Sequence, residues 1–216
     1  NSFIVNRSFK YNLEGNMVDS PDILVEFEGN LQIVIECKST KLTFGAQFSE
    51  NPIESARSIY SDIAKGVFQI WRYFSHIRRG IAISPPISSS TRGMVLTLDA
   101  WLATSRELQG EVLAIAAGIA DRDGGIIPED RRGIVFCSIQ DLEGTLAASN
   151  EEGFIRTVTE ATDERYSGWL LPNIYRGIHG KDGRERKLFP FLLDDVLPWW
   201  KDTKKLREER QGRVEK

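Results

Sequence analysis

The sequence predicts an α/β domain: a mixed β-sheet flanked by helices. Three observations carry this. Four short apolar runs, "ILVEF", "LQIVIE", "MVLTLD" and "IVFCSI", are bounded by turn residues and read as strands. Two long segments with helical apolar spacing lie between them, and strands alternating with helices bury their faces against one another in layers. The chain of 216 residues is long enough to enclose a full core. Residues 1–150 are assigned to that core, and 151–216 to an extension packing on it, with a charged tail from about 201.

Residues 1–18 are mixed and include a short strand around Phe3–Val5. Residues 19–41, "DSPDILVEFEGNLQIVIECKSTK", read as a hairpin. Residues 39–51 carry Ser, Thr, Gly and Asn and read as a loop. Pro52 suits the first turn of a helix, where its missing N–H would be unpaired anyway, and the spacing extends this helix to Arg79, with Gly80 as its stop. "GIAISPPISSSTRG" reads as a strand piece and a loop marked by Pro85 and Pro86. Met94–Leu98 read as a strand. Residues 106–121 read as a helix with Leu108, Val112, Ile115, Ala116 and Ile119 on one face. "DRDGGIIPEDRRG" is a polar turn region, "IVFCSI" a buried strand and "DLEGTLAAS" a short helix. Further on, "TVTEATDERYSGWLLP" is partly helical, "HGKDGRERK" a charged loop, "LFPFLLDDVLPWW" apolar, and "KDTKKLREERQGRVEK" a charged helix or a disordered tail.

The hairpin can close in two registers. A two-residue loop at Gly29 and Asn30 puts Phe27 opposite Gln32. A three-residue loop of Glu28, Gly29 and Asn30 pairs Phe27 with Leu31, Val25 with Ile33 and Ile23 with Ile35, so that one face is wholly apolar. A one-residue slip exchanges the faces, so the pattern selects the second register. That register sets Asp22 opposite Glu36, with Lys38 two residues on and on the same face. Opposed carboxylates lie roughly 4.5–5.5 Å apart at Cβ. They repel unless a proton or a cation intervenes. Mg²⁺ (or Mn²⁺) suits such a pair, since Mg²⁺ takes one or two carboxylates and keeps waters for a phosphate substrate. Taken alone, acid-x-Lys after a strand is also a common surface pair; the opposed Asp22 is what raises its significance.

In the helix that follows, Ile63, Val67, Ile70, Phe74 and Ile77 form the core stripe. Gln69 lies off it and shares a face with Asp62, Lys65, Arg72, Tyr73 and His76. Lys65 and His76 read as solvated. Gln69 can hold a carboxylate or a water through its amide, and Tyr73 can donate to a phosphate.

Composition narrows the classes. A net charge of −3 gives no support to a general nucleic-acid coat, although a site of a few placed cations is compatible with it. No apolar run approaches the roughly 20 residues that span a bilayer. With no signal peptide in view, the expected location is the cytoplasm, without membrane contact. The chain begins with Asn rather than Met and is expected to be a piece of a larger polypeptide. Cys37 and Cys137 lie in apolar runs and are expected as buried free thiols. The two histidines, His76 and His179, serve a histidine metal cluster or a Ser-His-Asp hydrolase poorly, and no P-loop is present.

These pieces resemble the PD-(D/E)XK nuclease superfamily, the restriction-endonuclease-like fold. The motif stands here as Pro21-Asp22, thirteen intervening residues and Glu36-Cys37-Lys38, followed by "QIWRY", Gln69 to Tyr73, which looks like the Q-x-x-x-Y element of RecB-type members. The match covers roughly residues 20–80. The resemblance implies a metal-dependent deoxyribonuclease. Asp22 and Glu36 would be metal ligands with the Cys37 backbone carbonyl. Lys38 would position the nucleophile, and Gln69 and Tyr73 would support the site. Many members carry a further acid on a helix upstream. Here either Glu14, in the turn-like "LEGN", takes that role, or the helix precedes this segment, or it is absent, which leaves one or two metals open. DNA is the expected substrate, RNA is not separated from it, and a homodimer or neighbouring domains are the expected partners. The alternative is a module that keeps the fold for nucleic-acid binding or protein assembly and does not cut.

Overall fold

The central strands alternate two sets of apolar side chains, one for each face of a sheet, and the helices divide accordingly. The computed structural model describes residues 2–41 and 43–180. The expectations for the charged loop beyond Gly180, the apolar segment and the charged tail lie outside the described residues. Five strands form one mixed sheet in the order β1 (Ile4–Arg7), β4 (Ile23–Phe27), β5 (Asn30–Lys38), β6 (Ile87–Thr97) and β7 (Ile134–Ser138). β1–β4 and β4–β5 are antiparallel, while β5–β6 and β6–β7 are parallel. β2 (Lys10–Leu13) and β3 (Asn16–Asp19) make a separate two-stranded hairpin.

Leu24, Val34, Val95 and Phe136 face α3 (Arg57–Arg78) and α4 (Arg106–Asp123), the two crossover helices of the parallel strands. Val25, Ile33, Met94 and Val135 face the other way, where α5 (Ile139–Ala148), α6 (Glu151–Glu160) and α7 (Leu171–His179) supply Leu142, Phe154, Val158 and Leu171. The described residues past 150 therefore build one face of the same core. The described elements belong to one compact unit, Asn1–Asp182.

The hairpin reconciles its turn with its apolar pattern by a bulge. β4 and β5 join through Glu28 and Gly29, with φ of 51° and 74°. This is the pair of positive φ values that a two-residue hairpin turn requires. Phe27 accordingly faces Asn30 and Glu26 faces Leu31, not the partners expected from a three-residue loop. The register then shifts, leaving Gln32 without an opposite residue, and Val25–Ile33, Leu24–Val34 and Ile23–Ile35 pair as the apolar face demands. The turn chose the loop; burial chose the register beyond it.

Other boundaries moved. The loop before the long helix contains a one-turn helix, α1 (Phe44–Gln47), capped by the Thr43 side chain. The helix from Pro52 is interrupted at Ala56, whose φ of −128° separates α2 (Pro52–Ser55) from α3. Gly80, at φ 71°, follows the end of α3 as expected. The serine-rich segment expected as a loop extends β6 back to Ile87, because Thr91 is buried and its Oγ1 donates to the Leu31 carbonyl at 2.8 Å. Arg78, at the end of α3, is ion-paired. It forks onto Asp130, Nε to Oδ1 at 2.9 Å and Nη2 to Oδ2 at 2.8 Å. No helix among the described residues is long and apolar enough to cross a membrane.

Candidate active site

At the end of β5 the apolar alternation gives way to charge without a change of face. Glu36 follows Val34, and Lys38 follows Glu36, on the side that faces α3. The helix makes room for them. A Cβ at Gly66 would lie 2.7 Å from Lys38 Cε and 3.2 Å from Glu36 Cγ. A glycine inside a helix costs about 1 kcal/mol relative to alanine. In return, the two side chains pass beneath the helix while keeping polar ends.

Asp22 precedes Ile23, the partner of Ile35, so continuing the register sets it beside Glu36. It is held from both neighbouring strands. Its Oδ2 accepts the Cys37 N–H at 2.8 Å, and its backbone carbonyl accepts from the Ser8 N–H at 2.9 Å. Lys38 Nζ donates to Glu36 Oε1 at 3.3 Å and to Gln69 Oε1 at 3.2 Å, and lies 4.0 Å from Asp62 Oδ1. Thr40 Oγ1 donates to Asp62 Oδ2 at 2.8 Å, fixing that carboxylate from the strand side. The hairpin thus supplies Asp22, Glu36 and Lys38, and one face of α3 supplies Asp62, Gly66 and Gln69 at helical spacing.

The electrostatics favour a cation. Glu36 is only 5% exposed. Burial pushes its carboxyl above the ordinary range, and the Asp22 charge pushes it further; Lys38 and the Asp22 N–H pull it back without restoring it. The Cys37 thiol is pushed up to about 11, first by desolvation and then by the Asp22 and Glu36 charges. Glu36 and Asp62 share the one Lys38 ammonium and Asp22 acts on Glu36 from the neighbouring strand, so negative charge is in excess. That donor chemistry fits Mg²⁺ or Mn²⁺ held by two carboxylates with water completing the shell.

Not every candidate joins the cluster. Tyr73, one helical turn past Gln69, packs against Tyr11 with ring centroids 6.1 Å apart. Its hydroxyl is pushed up to about 12 by burial, and its electrostatic neighbours are Ser84, Tyr11 and Glu26. Ser84 is near enough to act on it, yet the hydroxyl makes no hydrogen bond of ordinary geometry. No contact brings it to Lys38 or Glu36. Glu14 sits with φ 52° at the exposed tip of the β2–β3 turn. The β2–β3 register puts it at the opposite end of that hairpin from Asp19, the end from which the chain runs on to Asp22. It is not a third carboxylate of this cluster, and no group of three or more His, Cys, Asp and Glu able to hold a metal forms among the described residues.

Two side chains differ from the expected burial. His76 is buried rather than solvated, because the β2–β3 hairpin covers that part of α3 and Tyr11 Oη lies 2.7 Å from His76 Nδ1. Cys37 is exposed while Cys137 is buried, both as free thiols. Gly66 and Thr40 carried no expected role, and Asp62 was placed only on the Gln69 face. The spacing of residues 62, 66 and 69, four and then three apart, was the available signal. The chain matches no family model, no curated protein and no solved structure.

Proposed function

We propose that the chain is a metal-dependent nuclease that hydrolyses phosphodiester bonds in DNA, on a fold of the restriction-endonuclease-like PD-(D/E)XK kind that its motifs resemble. The observation that carries the proposal is the convergence of Asp22, Glu36, Lys38 and Gln69 at one end of the sheet, with Gly66 opening α3 over them. A buried carboxylate beside a second, half-buried one and a lysine is costly to maintain for stability alone.

Asp22 and Glu36, with the Cys37 carbonyl, would hold Mg²⁺ or Mn²⁺. The chemistry such an ion supplies when bound is polarisation of a phosphoryl oxygen and a more acidic water. The chain's own residues do the positioning. The Cys37 N–H and the Ser8 N–H hold Asp22. Gln69 and Asp62 hold the Lys38 ammonium from the helix side, where it can orient an attacking water or offset charge developing on the phosphate. Tyr73 acts from behind, packing the part of α3 that carries Gln69.

The test is a cleavage assay on linear, circular and single-stranded DNA with and without Mg²⁺. Lys38→Ala is expected to abolish cleavage while leaving the fold and most DNA binding intact; cleavage undiminished in that variant sinks the mechanism. A second reading, a nuclease-fold module that binds without cutting, draws support from the lack of a third metal-holding side chain among the described residues. Calorimetric titration with Mn²⁺ separates the two, since absence of binding lost in Asp22→Ala and Glu36→Ala favours the module.

A further inference from the structure

Arg72 lies three residues past Gln69 on the same face of α3. It differs from the other cations around it. Lys38 is paired with Glu36, Arg78 is forked onto Asp130, and Lys65 is exposed. Arg72 pairs with no acid among the described residues. Its Nε is buried and has no hydrogen-bond partner. Its guanidinium is swept back over the Phe68 ring, 5.5 Å from the centroid, as helical side chains are directed. That places the charged group at the level of the helical turn that carries Phe68 and Gln69, the residue that holds Lys38 from the helix side. Its field also reaches the buried Tyr11–His76 pair, where Asp123 offsets part of it at His76.

A partly desolvated guanidinium without an anion is unfavourable, and an aromatic face offsets only part of that cost. Arg72 is half-buried, and of its nitrogens only Nε is sealed without a partner, which leaves the terminal fork able to take a ligand. A planar fork of donors matches the oxygens of a phosphate better than an ammonium does.

We propose that Arg72 is a substrate contact of this site, its two Nη groups holding a backbone phosphate of the DNA strand next to the phosphodiester at Asp22, Glu36 and Lys38. The assignment rests on the nuclease reading and names the part of the substrate that the chain grips outside the scissile bond. Contacts of this kind position the strand and carry no base information.

Fluorescence anisotropy of a labelled DNA duplex in EDTA, at several NaCl concentrations, tests the contact without catalysis. Arg72→Gln is expected to bind about tenfold or more weakly. The slope of log K against log[NaCl] should fall by about 0.9, one phosphate contact. Arg72→Lys should restore the slope but not the full affinity, because it keeps the charge and loses the fork. With Mg²⁺, Arg72→Gln should raise KM and leave kcat within about twofold. Wild-type affinity and salt slope in Arg72→Gln overturn the assignment, and if the wild type cleaves in that case the nuclease reading stands. An Arg72-dependent slope in a protein that does not cleave supports the contact and removes the catalysis. A wild type that binds no DNA removes both.

Discussion

Gly66→Ala isolates the fit between α3 and the charged end of β5. The added Cβ meets Lys38 Cε at 2.7 Å, and ordinary contact begins at 3.4 Å, so the lysine must withdraw by about 0.7 Å. Its bonds to Glu36 and Gln69, at 3.3 and 3.2 Å, are already near the limit for a hydrogen bond, so a withdrawal of that size breaks one or both. The helix itself gains about 0.8–1 kcal/mol from alanine in place of glycine. The lost bonds offset that gain, so the unfolding free energy by urea titration should stay within about 1 kcal/mol of wild type. The decisive readout is the Glu36 carboxyl titration by carbon NMR. Lys38 holds that titration down, so withdrawing the lysine should move it further up. Cleavage should fall on the order of a hundredfold, the usual penalty for a misplacement approaching 1 Å. An unmoved Glu36 titration with undiminished cleavage would refute the idea that Gly66 sets the position of Lys38. A loss of several kcal/mol would refute it equally, by showing that the lysine cannot withdraw.

Two carboxyls should give opposite pH signatures in the metal-free protein. Glu36 has a folded pKa raised above its unfolded value, so its contribution to stability is present at low pH and is lost as pH rises through the folded pKa, above the ordinary 4.5; Glu36→Gln should remove that component from urea midpoints measured across pH. Asp130 behaves the other way: burial raises its pKa, but the Arg78 fork and the Ile127 N–H outweigh this and hold it below 3.8. Its contribution is present above its unfolded pKa and is lost as pH falls through the folded one, so Asp130→Asn should flatten the acid limb and lower stability at neutral pH, while an unchanged acid limb would show the fork to be inert. Tyr11→Phe removes the hydroxyl that pairs with buried His76 and should cost about 1–3 kcal/mol by urea titration; a neutral result would mean that water replaces it.

The chemistry of the β5 end was legible in the chain because strand periodicity is strictly two. Once Ile23, Val25, Ile33 and Ile35 had to share a face, Asp22, Glu36 and Lys38 could only gather on the other, and helical spacing placed Gln69 and Asp62 on one side of α3. The path by which the hairpin reached that register was not legible. The turn at Glu28 and Gly29 and the bulge at Gln32 are a compromise between local backbone preference and burial across strands far apart in sequence.

The sequence by itself determined the alternation of layers, the faces of the strands and the set of polar groups available to a site. Only the tertiary structure decided which of them meet. Gly66 reads as a weak point in a helix until the lysine beneath it is seen. His76 reads as solvated until the β2–β3 hairpin covers it, and Tyr73 reads as a partner of Gln69 until Tyr11 claims it. Each outcome depends on the approach of two elements whose separation along the chain is large. Periodicity fixes the direction in which a side chain leaves its own element and carries no information about what stands opposite.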